Sequence, residues 1–313
     1  MTSNVLALEP ISDHAPESRL LGALTDEATD ILREAAAVFK NPVLLFSGGK
    51  DSAVLLDLAR RAFAPGPNPF ALLHVDTGQN FPDVIAFRDR IVAEGGDRLI
   101  VASVQDSIDS GTIRERVPGE SRNAMQAITL LETIRELEID ACIGGARRDE
   151  EKARAKERIF SHRNTVGRWD PRNQRPEPWG LFNAKLFPGE NMRVFPISNW
   201  TEIDIWRYIA QRNLTLPPLY FAHRRAVFRR NGMLFPVSDH MQPAEDEAVE
   251  EATVRFRTVG DMSCTCPVPS AAATVAEIVA ETLSARVSER GATRADDARE
   301  VAAMETRKKG GYF

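Results

Sequence analysis

Four apolar residues, Val43-Leu44-Leu45-Phe46, run directly into Ser47-Gly48-Gly49-Lys50-Asp51-Ser52, and Ser52 opens an amphipathic stretch that reaches Phe63. An apolar run of that length reads as a buried strand of a parallel sheet. Behind the glycines, Val54, Leu55, Leu58 and Ala59 recur at helical spacing. Strand, glycine turn and helix start make an anion site, because the unbonded N–H groups and the positive end of the helix dipole point into the turn. Gly48 and Gly49 let the backbone come close to a ligand, Lys50 adds a full positive charge, and the Ser47 and Ser52 hydroxyls add hydrogen bonds. The expected guest is phosphate. The Walker A loop is excluded: it needs a glycine five residues before the Gly of Gly-Lys, where this chain has Leu44, and a Ser or Thr after the lysine, where it has Asp51.

The following residues alternate strand and helix patterns: strand Phe70–Asp76, helix Pro82–Ala93, strand Leu99–Ser103, helix Ser121–Leu137, strand Ala141–Ile143. Ahead of them, Asp26 to Phe39 has helical periodicity with Thr25 as N-cap, stopped by Asn41-Pro42. This pattern predicts an α/β fold, a parallel sheet covered by helices with right-handed crossovers. Ligands of such sheets sit at the carboxyl ends of strands, where the Lys50 loop, Asp76-Thr77-Gly78 and Gly144-Gly145-Ala146 all fall. After about residue 150 the alternation fades. Residues 163–188, rich in Arg, Asn, Pro and Trp, read as an ordered functional loop or a partly disordered segment. A further strand is expected at Arg193–Ile197, a helix N-capped by Thr201, an extended segment at Met233–Val237 and a helix at Ala273–Val287. The expected division is an N-terminal arm over 1–24, an α/β domain over 25–215 and a mixed, loop-rich, partner-contacting extension over 216–313.

The 313 residues are 43% hydrophobic and 27% charged, ordinary globular material. No apolar run approaches a membrane span, no signal peptide is evident at the start, and three cysteines fit a reducing cytoplasm better than a disulfide framework. A net charge of −5 argues against nucleic-acid binding. The charge is uneven: Arg147 to Arg175 holds ten Lys/Arg against five acids, so the remainder is strongly acidic. A local basic segment on such a protein suggests a small anionic ligand.

Asp76 is a candidate for a ribose hydroxyl, a substrate or a metal-bound water, or for a plain turn cap; Gly78 permits a tight turn. Arg147 and Arg148 follow the second Gly-Gly turn and offer planar forks suited to oxyanions. The acids beside them could hold Mg²⁺ together with phosphates. Glu150 to Arg158 reads as a solvated helix with a Glu150–Arg154 pair. Cys264 and Cys266 lack the partners a zinc site needs and read as ordinary loop or core residues.

The Ser47–Ser52 loop resembles the pyrophosphate loop of N-type ATP pyrophosphatases. Together with His74–Gly78, Gly144–Arg158, Arg168–Glu177, Val194–Glu202 and the terminal Gly-Tyr-Phe, it resembles the small-subunit family of bacterial sulfate adenylyltransferases. These belong to the phosphoadenylylsulfate reductase-like branch of the adenine nucleotide α-hydrolase-like, Rossmann-like proteins. The resemblance runs from about Ala28 to Phe313. It implies ATP plus sulfate giving adenylyl sulfate and pyrophosphate in cytoplasmic sulfate assimilation. Gly48, Gly49, Lys50 and Ser52 would hold the leaving pyrophosphate, with Ser47 and Asp51 completing the loop; Asp76, Gly78 and Gly145 would border the adenosine. Arg147 and Arg148 would balance sulfate or α-phosphate charge. It also implies Mg²⁺ with ATP, no tightly bound cofactor and, because the anhydride forms uphill, a GTPase large subunit resembling elongation factors. This chain has neither a Walker A loop nor an Asn-Lys-x-Asp guanine motif, which places any such GTPase on another polypeptide. Departures occur at Cys264–Ser270, where Pro267 and Pro269 stiffen the chain. Two alternatives are a sulfonucleotide reductase, which needs a nucleophilic cysteine where none follows Cys266, and a non-catalytic nucleotide-binding subunit. An RNA-thiolating enzyme would need a Cys-x-x-Cys pair or a basic face.

Overall fold

The strand-like run of the first motif is buried on both faces, which is why it shows no polar alternation. Val43 and Leu45 face one core with Ala71, Leu73, Leu130 and Ile134, while Leu44 faces a larger one with Leu72, Val54, Leu58 and Trp200. Emptying such a position, as in Leu44→Ala, costs about 2–5 kcal/mol. The computed structural model describes residues 16–115, 121–151 and 154–285. The expected arm up to residue 15, Lys152 and the carboxyl-terminal Gly-Tyr-Phe lie outside them.

The first sheet takes β1 (Pro42–Leu45), β2 (Ala71–Asp76), β3 (Leu99–Ser103), β4 (Ala141–Ile143), β5 (Phe160–Arg163) and β6 (Asn191–Val194) in the order β3-β2-β1-β4-β6-β5. All neighbours are parallel except β5, which runs antiparallel on β6. Helices α1 (Pro16–Val38), α2 (Lys50–Phe63) and α3 (Pro82–Gly95) supply the larger core, with α4 (Val104–Asp109) and α5 (Gln126–Glu136) on the other side of the sheet. Helix α6 (Glu202–Arg212) starts on a capping box: Thr201 Oγ1 accepts the Asp204 N–H and the Asp204 carboxylate accepts the Thr201 N–H. The expected α/β sheet and most of its elements are therefore present.

Several local expectations change. Thr25 lies inside α1, its hydroxyl donating to the Leu21 carbonyl, and the helix begins at Pro16. The helix expected at Ser121 begins as a short 3₁₀ turn over Arg122–Ala124. The solvated helix expected over Glu150–Arg158 is reduced to a 3₁₀ turn at Arg154–Lys156. Arg154 and Glu157 there are buried: Glu157 accepts from the buried Arg163 at 2.6 Å, and Arg154 pairs with Glu150 at 2.8 Å. Burial draws the Arg163 guanidinium down to about 10, a fall that the Glu157 carboxylate opposes. Just ahead of the segment read as a loop runs β5, which no expectation covered, and side chains of that segment close the sheet edge. Glu177 accepts the Ile159 and Phe160 N–H groups at 3.1 and 2.7 Å, and Gln174 accepts the His162 N–H and donates to the His162 carbonyl, both at 3.1 Å. Pairing an edge strand with its own loop blunts it against other strands.

A second, antiparallel sheet of β7 (His223–Arg230), β8 (Met233–Pro236), β9 (Val249–Arg255) and β10 (Val268–Pro269) has the order β10-β9-β7-β8. Helix α7 (Val275–Ser284) packs on α6. This extension returns to the first sheet: beyond β2, Met262 N–H donates to the Gln79 carbonyl at 2.9 Å, and Asp261 forms a bridge with Asn80.

Candidate functional site

The strand order reverses around β1, whose neighbours β2 and β4 lead outward in opposite directions, and the crevice outside the carboxyl ends at such a switch point is the natural ligand site. A cleft of about 180 Å³ opens there. Its walls include Ser47, Gly49, Asp51 and Ser52 after β1, Val75 and Asn80 around the end of β2, and Gly145 and Ala146 after β4. Tyr220 and the strip Thr258–Asp261 close it from the extension.

The β1 turn depends on its glycines. Gly48 has φ +75°, and a Cβ there would stand 2.7 Å from Val84 Cγ1; any side chain would be both strained and obstructed. Ser47 Oγ accepts the Gly49 N–H at 3.3 Å, and the Ser52 hydroxyl donates to the Gly49 carbonyl at 2.9 Å. The Lys50 N–H, at the start of α2, donates to the Tyr220 hydroxyl at 2.8 Å. The helix therefore presents its first-turn amides to the cleft with one already held by an oxygen.

Asp51 is the hub. Its Oδ2 lies 2.8 Å from Lys50 Nζ and its Oδ1 2.8 Å from Arg147 Nε. Burial by itself would raise the Asp51 carboxyl, but the Lys50 and Arg147 charges and their hydrogen bonds outweigh it and hold the group at about 2. The Lys50 and Arg147 side chains are fully buried. Gly145 packs against this hub: a Cβ on it would come within 3.2 Å of the Asp51 backbone carbon.

The sequence-derived candidates thus separate. Ser47, Gly49, Asp51, Ser52 and Gly145 line the cleft; Gly48 and the fully buried Lys50 belong to the same turn behind that lining. Arg147 stands beneath the floor, gripping Asp51, with Asp149 at 3.6 Å and Glu150 at 3.7 Å from its outer nitrogens. Arg148 turns toward the chain after β6: its N–H donates to the Ser198 carbonyl at 2.9 Å and its guanidinium to Asn199 Oδ1. Asp76 Oδ1 accepts the Gly78 N–H at 2.8 Å, the turn-capping arrangement, and Gly78 takes φ +71°.

The sequence reading missed Glu150, Arg154, Tyr220 and Thr258–Asp261, all of which reach the cleft. Asp261 is buried and accepts from the Thr77 hydroxyl at 2.9 Å, joining the extension to the β2 turn. The departure noted at Cys264–Ser270 follows this strap directly, and that adjacency was the available signal. Cys142, Cys264 and Cys266 are all buried and unpaired by disulfides. His74 is buried and its Nδ1–H donates to the Phe46 carbonyl at 2.8 Å; burial holds the ring below the usual histidine range, so it is neutral. Among the described residues no group of three or more His, Cys, Asp or Glu could hold a metal ion, and no helix is long and apolar enough to cross a membrane.

Residues 41–267 match the phosphoadenosine phosphosulfate reductase domain. Sulfate adenylyltransferase subunit 2 of Mycobacterium tuberculosis is 61% identical over 293 residues, 94% of each chain. The protein of the same name from Streptomyces lavendulae is 60% identical, covering 94% of this chain and 92% of its own. That from Mycolicibacterium vanbaalenii is 59% identical, again over 94% of each. The matched residues take in β1 and its turn, the β4 turn and the Thr258–Asp261 strap, and the chain belongs to the sulfate adenylyltransferase subunit 2 family.

Proposed function

We propose that this chain is the ATP-handling subunit of a sulfate adenylyltransferase. The supporting observation is the Ser47–Ser52 turn at the switch point, with a buried lysine beside the amides of a helix start. In this reading the β- and γ-phosphates of ATP rest in that turn against Lys50 and the first amides of α2. Adenosine lies along the ends of β2 and β4, near Asp76, Gly78 and Gly145. A sulfate oxygen attacks the α-phosphorus; the new P–O bond forms as the bond to the bridging oxygen of pyrophosphate breaks, and the released charge stays in the turn. Sulfate is a weak nucleophile already fully ionised at neutral pH, so no general base is needed. Positioning and charge stabilisation supply the acceleration.

Asp51 keeps Lys50 ionised and aimed, and Arg147 fixes Asp51. Direct charge balance at sulfate falls to Arg154, which reaches the cleft, with Arg147 acting through the hub and Arg148 in a supporting place. Mg²⁺ enters as part of the ATP substrate. The carboxylates near the turn are engaged by arginine or lysine, which favours an ion held chiefly by the phosphates and water. The partner is a separate GTPase large subunit resembling elongation factors, whose turnover offsets the uphill equilibrium; the site of action is the cytoplasm.

The test is sulfate-dependent exchange of labelled pyrophosphate into ATP by this chain co-expressed with such a GTPase. Exchange that requires sulfate, and is lost in Lys50→Ala, is expected. Exchange that ignores sulfate, or that persists in Lys50→Ala, would overturn the assignment.

A further inference from the structure

Outside the cleft, the most exposed large apolar side chain among the described residues lies on the loop between β5 and β6. Trp179 is 92% exposed, Leu181 66% and Phe187 56%, all on the loop between β5 and β6. This loop is held in shape. Arg175 donates to the Asn183 and Lys185 carbonyls, closing the turn that carries Trp179 and Leu181. Glu177 is fixed on the backbone of Ile159 and Phe160, and Phe182 stacks on Phe160 with ring centroids 4.7 Å apart. Trp179 itself takes φ +56°, a conformation a bulky residue keeps only where its surroundings impose it. A solvent-facing indole on a rigid loop is the kind of anchor that dominates protein interfaces.

The charge around the anchor is one-sided. Arg168, Arg172 and Lys185 are exposed, whereas no acid between residues 154 and 190 is: Glu157 is buried, and Asp170, Glu177 and Glu190 are partly covered. Asp170 caps its own turn, Glu177 caps β5, and Glu190 pairs with His162 at 2.9 Å. Lys185 Nζ lies 4.9 Å from the centre of the Phe187 ring, so the loop exposes apolar and cationic side chains together while its acids are covered, on a chain whose net charge is −5. Such a surface complements a protein face that is apolar with an acidic rim.

Its position bears on the cleft. Phe160 pairs with Val194 and Ile143 with Val194 in register, and Ile143 is followed by Gly144 and Gly145 of the cleft wall. Glu177 and Phe182 thus pin the Trp179 loop to the same end of the sheet as the nucleotide site, two strands away.

We propose that the Trp179–Leu181–Phe187 surface is the docking site for the partner GTPase subunit, through an apolar patch with an acidic rim on that subunit. This rests on the proposed function, which supplies the need for such a partner. Docking at the β5 edge would reach the cleft through the Phe160–Val194–Ile143 ladder and the Arg154–Glu157 turn.

The experiment measures the affinity of the full chain for the co-produced GTPase subunit by calorimetry, with Trp179→Ser, the pair Arg172→Glu and Lys185→Glu, and Glu136→Lys at an exposed position of α5 as control. Trp179→Ser should weaken the complex at least tenfold. The charge reversal should weaken it further at low salt than at high salt, and Glu136→Lys should leave it unchanged. Trp169, Trp200 and Trp206 are buried, so 5-fluorotryptophan in this chain alone gives Trp179 its own reporter: its ¹⁹F signal should shift on complex formation. A wild-type complex that Trp179→Ser and the reversal leave equally tight would overturn the surface while sparing the partner. No complex with the wild-type chain would overturn the partner reading and this occupant with it. Self-association of the free chain that Trp179→Ser abolishes, seen by sedimentation, would assign the surface to a second copy and overturn the proposal.

Discussion

The two Gly-Gly turns, after β1 and after β4, look alike in the sequence: each ends an apolar strand, and each is followed at once by cationic side chains. Their structures differ. The β1 turn gives the cleft its hydroxyls, its amides and Asp51, and opens on a long helix. The β4 turn gives it backbone at Gly145 and Ala146, then sends Arg147 beneath Asp51 and Arg148 toward Asn199. Two adjacent arginines in a basic segment thus have different partners. One fixes the geometry of the neighbouring turn from inside, and the other fastens the chain to the α1 region, since Asn199 in turn donates to Glu27. A buried cation can shape a cleft by holding the acid that in turn holds a second cation.

This inequality is open to graded challenge. The largest effect is expected at the β1 turn, where Lys50→Ala should lower sulfate-dependent exchange by about 10³-fold while the far-UV spectrum is kept. Arg147→Ala comes next and should strike the fold as well. Removing one member of a buried ion pair costs about 3–5 kcal/mol, read by urea unfolding, whereas an Arg147 that served only as a ligand would lose activity at wild-type stability. The third challenge is acid. The carboxyl of Asp51 falls from an ordinary 3.8 to about 2 on folding, so it contributes stability above the ordinary value that is lost as pH drops toward about 2. By linkage this is worth about 2 kcal/mol. The stability difference between wild type and Asp51→Asn should be constant above that window and shrink within it. The smallest change is Tyr220→Phe, which leaves the Lys50 N–H without its oxygen and should cost exchange about tenfold or less.

The sheet was legible because its central strands β1, β2 and β4 are largely buried on both faces and so print as apolar runs, punctuated by Gly and Pro at the turns. Helix α6 was legible through Thr201 and the acids behind it. β5 was not: Phe160–Arg163 is only four residues, its inward charge is neutralised by Glu157 from outside the strand, and its free edge is satisfied by Glu177 and Gln174 from the following loop. At Arg154 the spacing gave the Glu150 partner, and the pair is present at 2.8 Å, but on a buried 3₁₀ turn at the cleft rather than a solvated helix; an i,i+4 pair looks the same in sequence whether it is solvated or covered. Tyr220 and Asp261 reach the cleft from 170 and 184 residues beyond their contacts Lys50 and Thr77, a distance no local pattern spans. The β1 turn could be read because everything it needs, strand, glycines, lysine and helix, is contiguous.

Titration calorimetry of inorganic pyrophosphate into the wild-type chain, Lys50→Ala and Arg148→Ala tests the inequality of the two turns most directly. The account predicts that Lys50→Ala weakens binding by at least tenfold, the loss of a charge-assisted contact, while Arg148→Ala stays close to wild type. Pyrophosphate binding that survives in Lys50→Ala and fails in Arg148→Ala would contradict it.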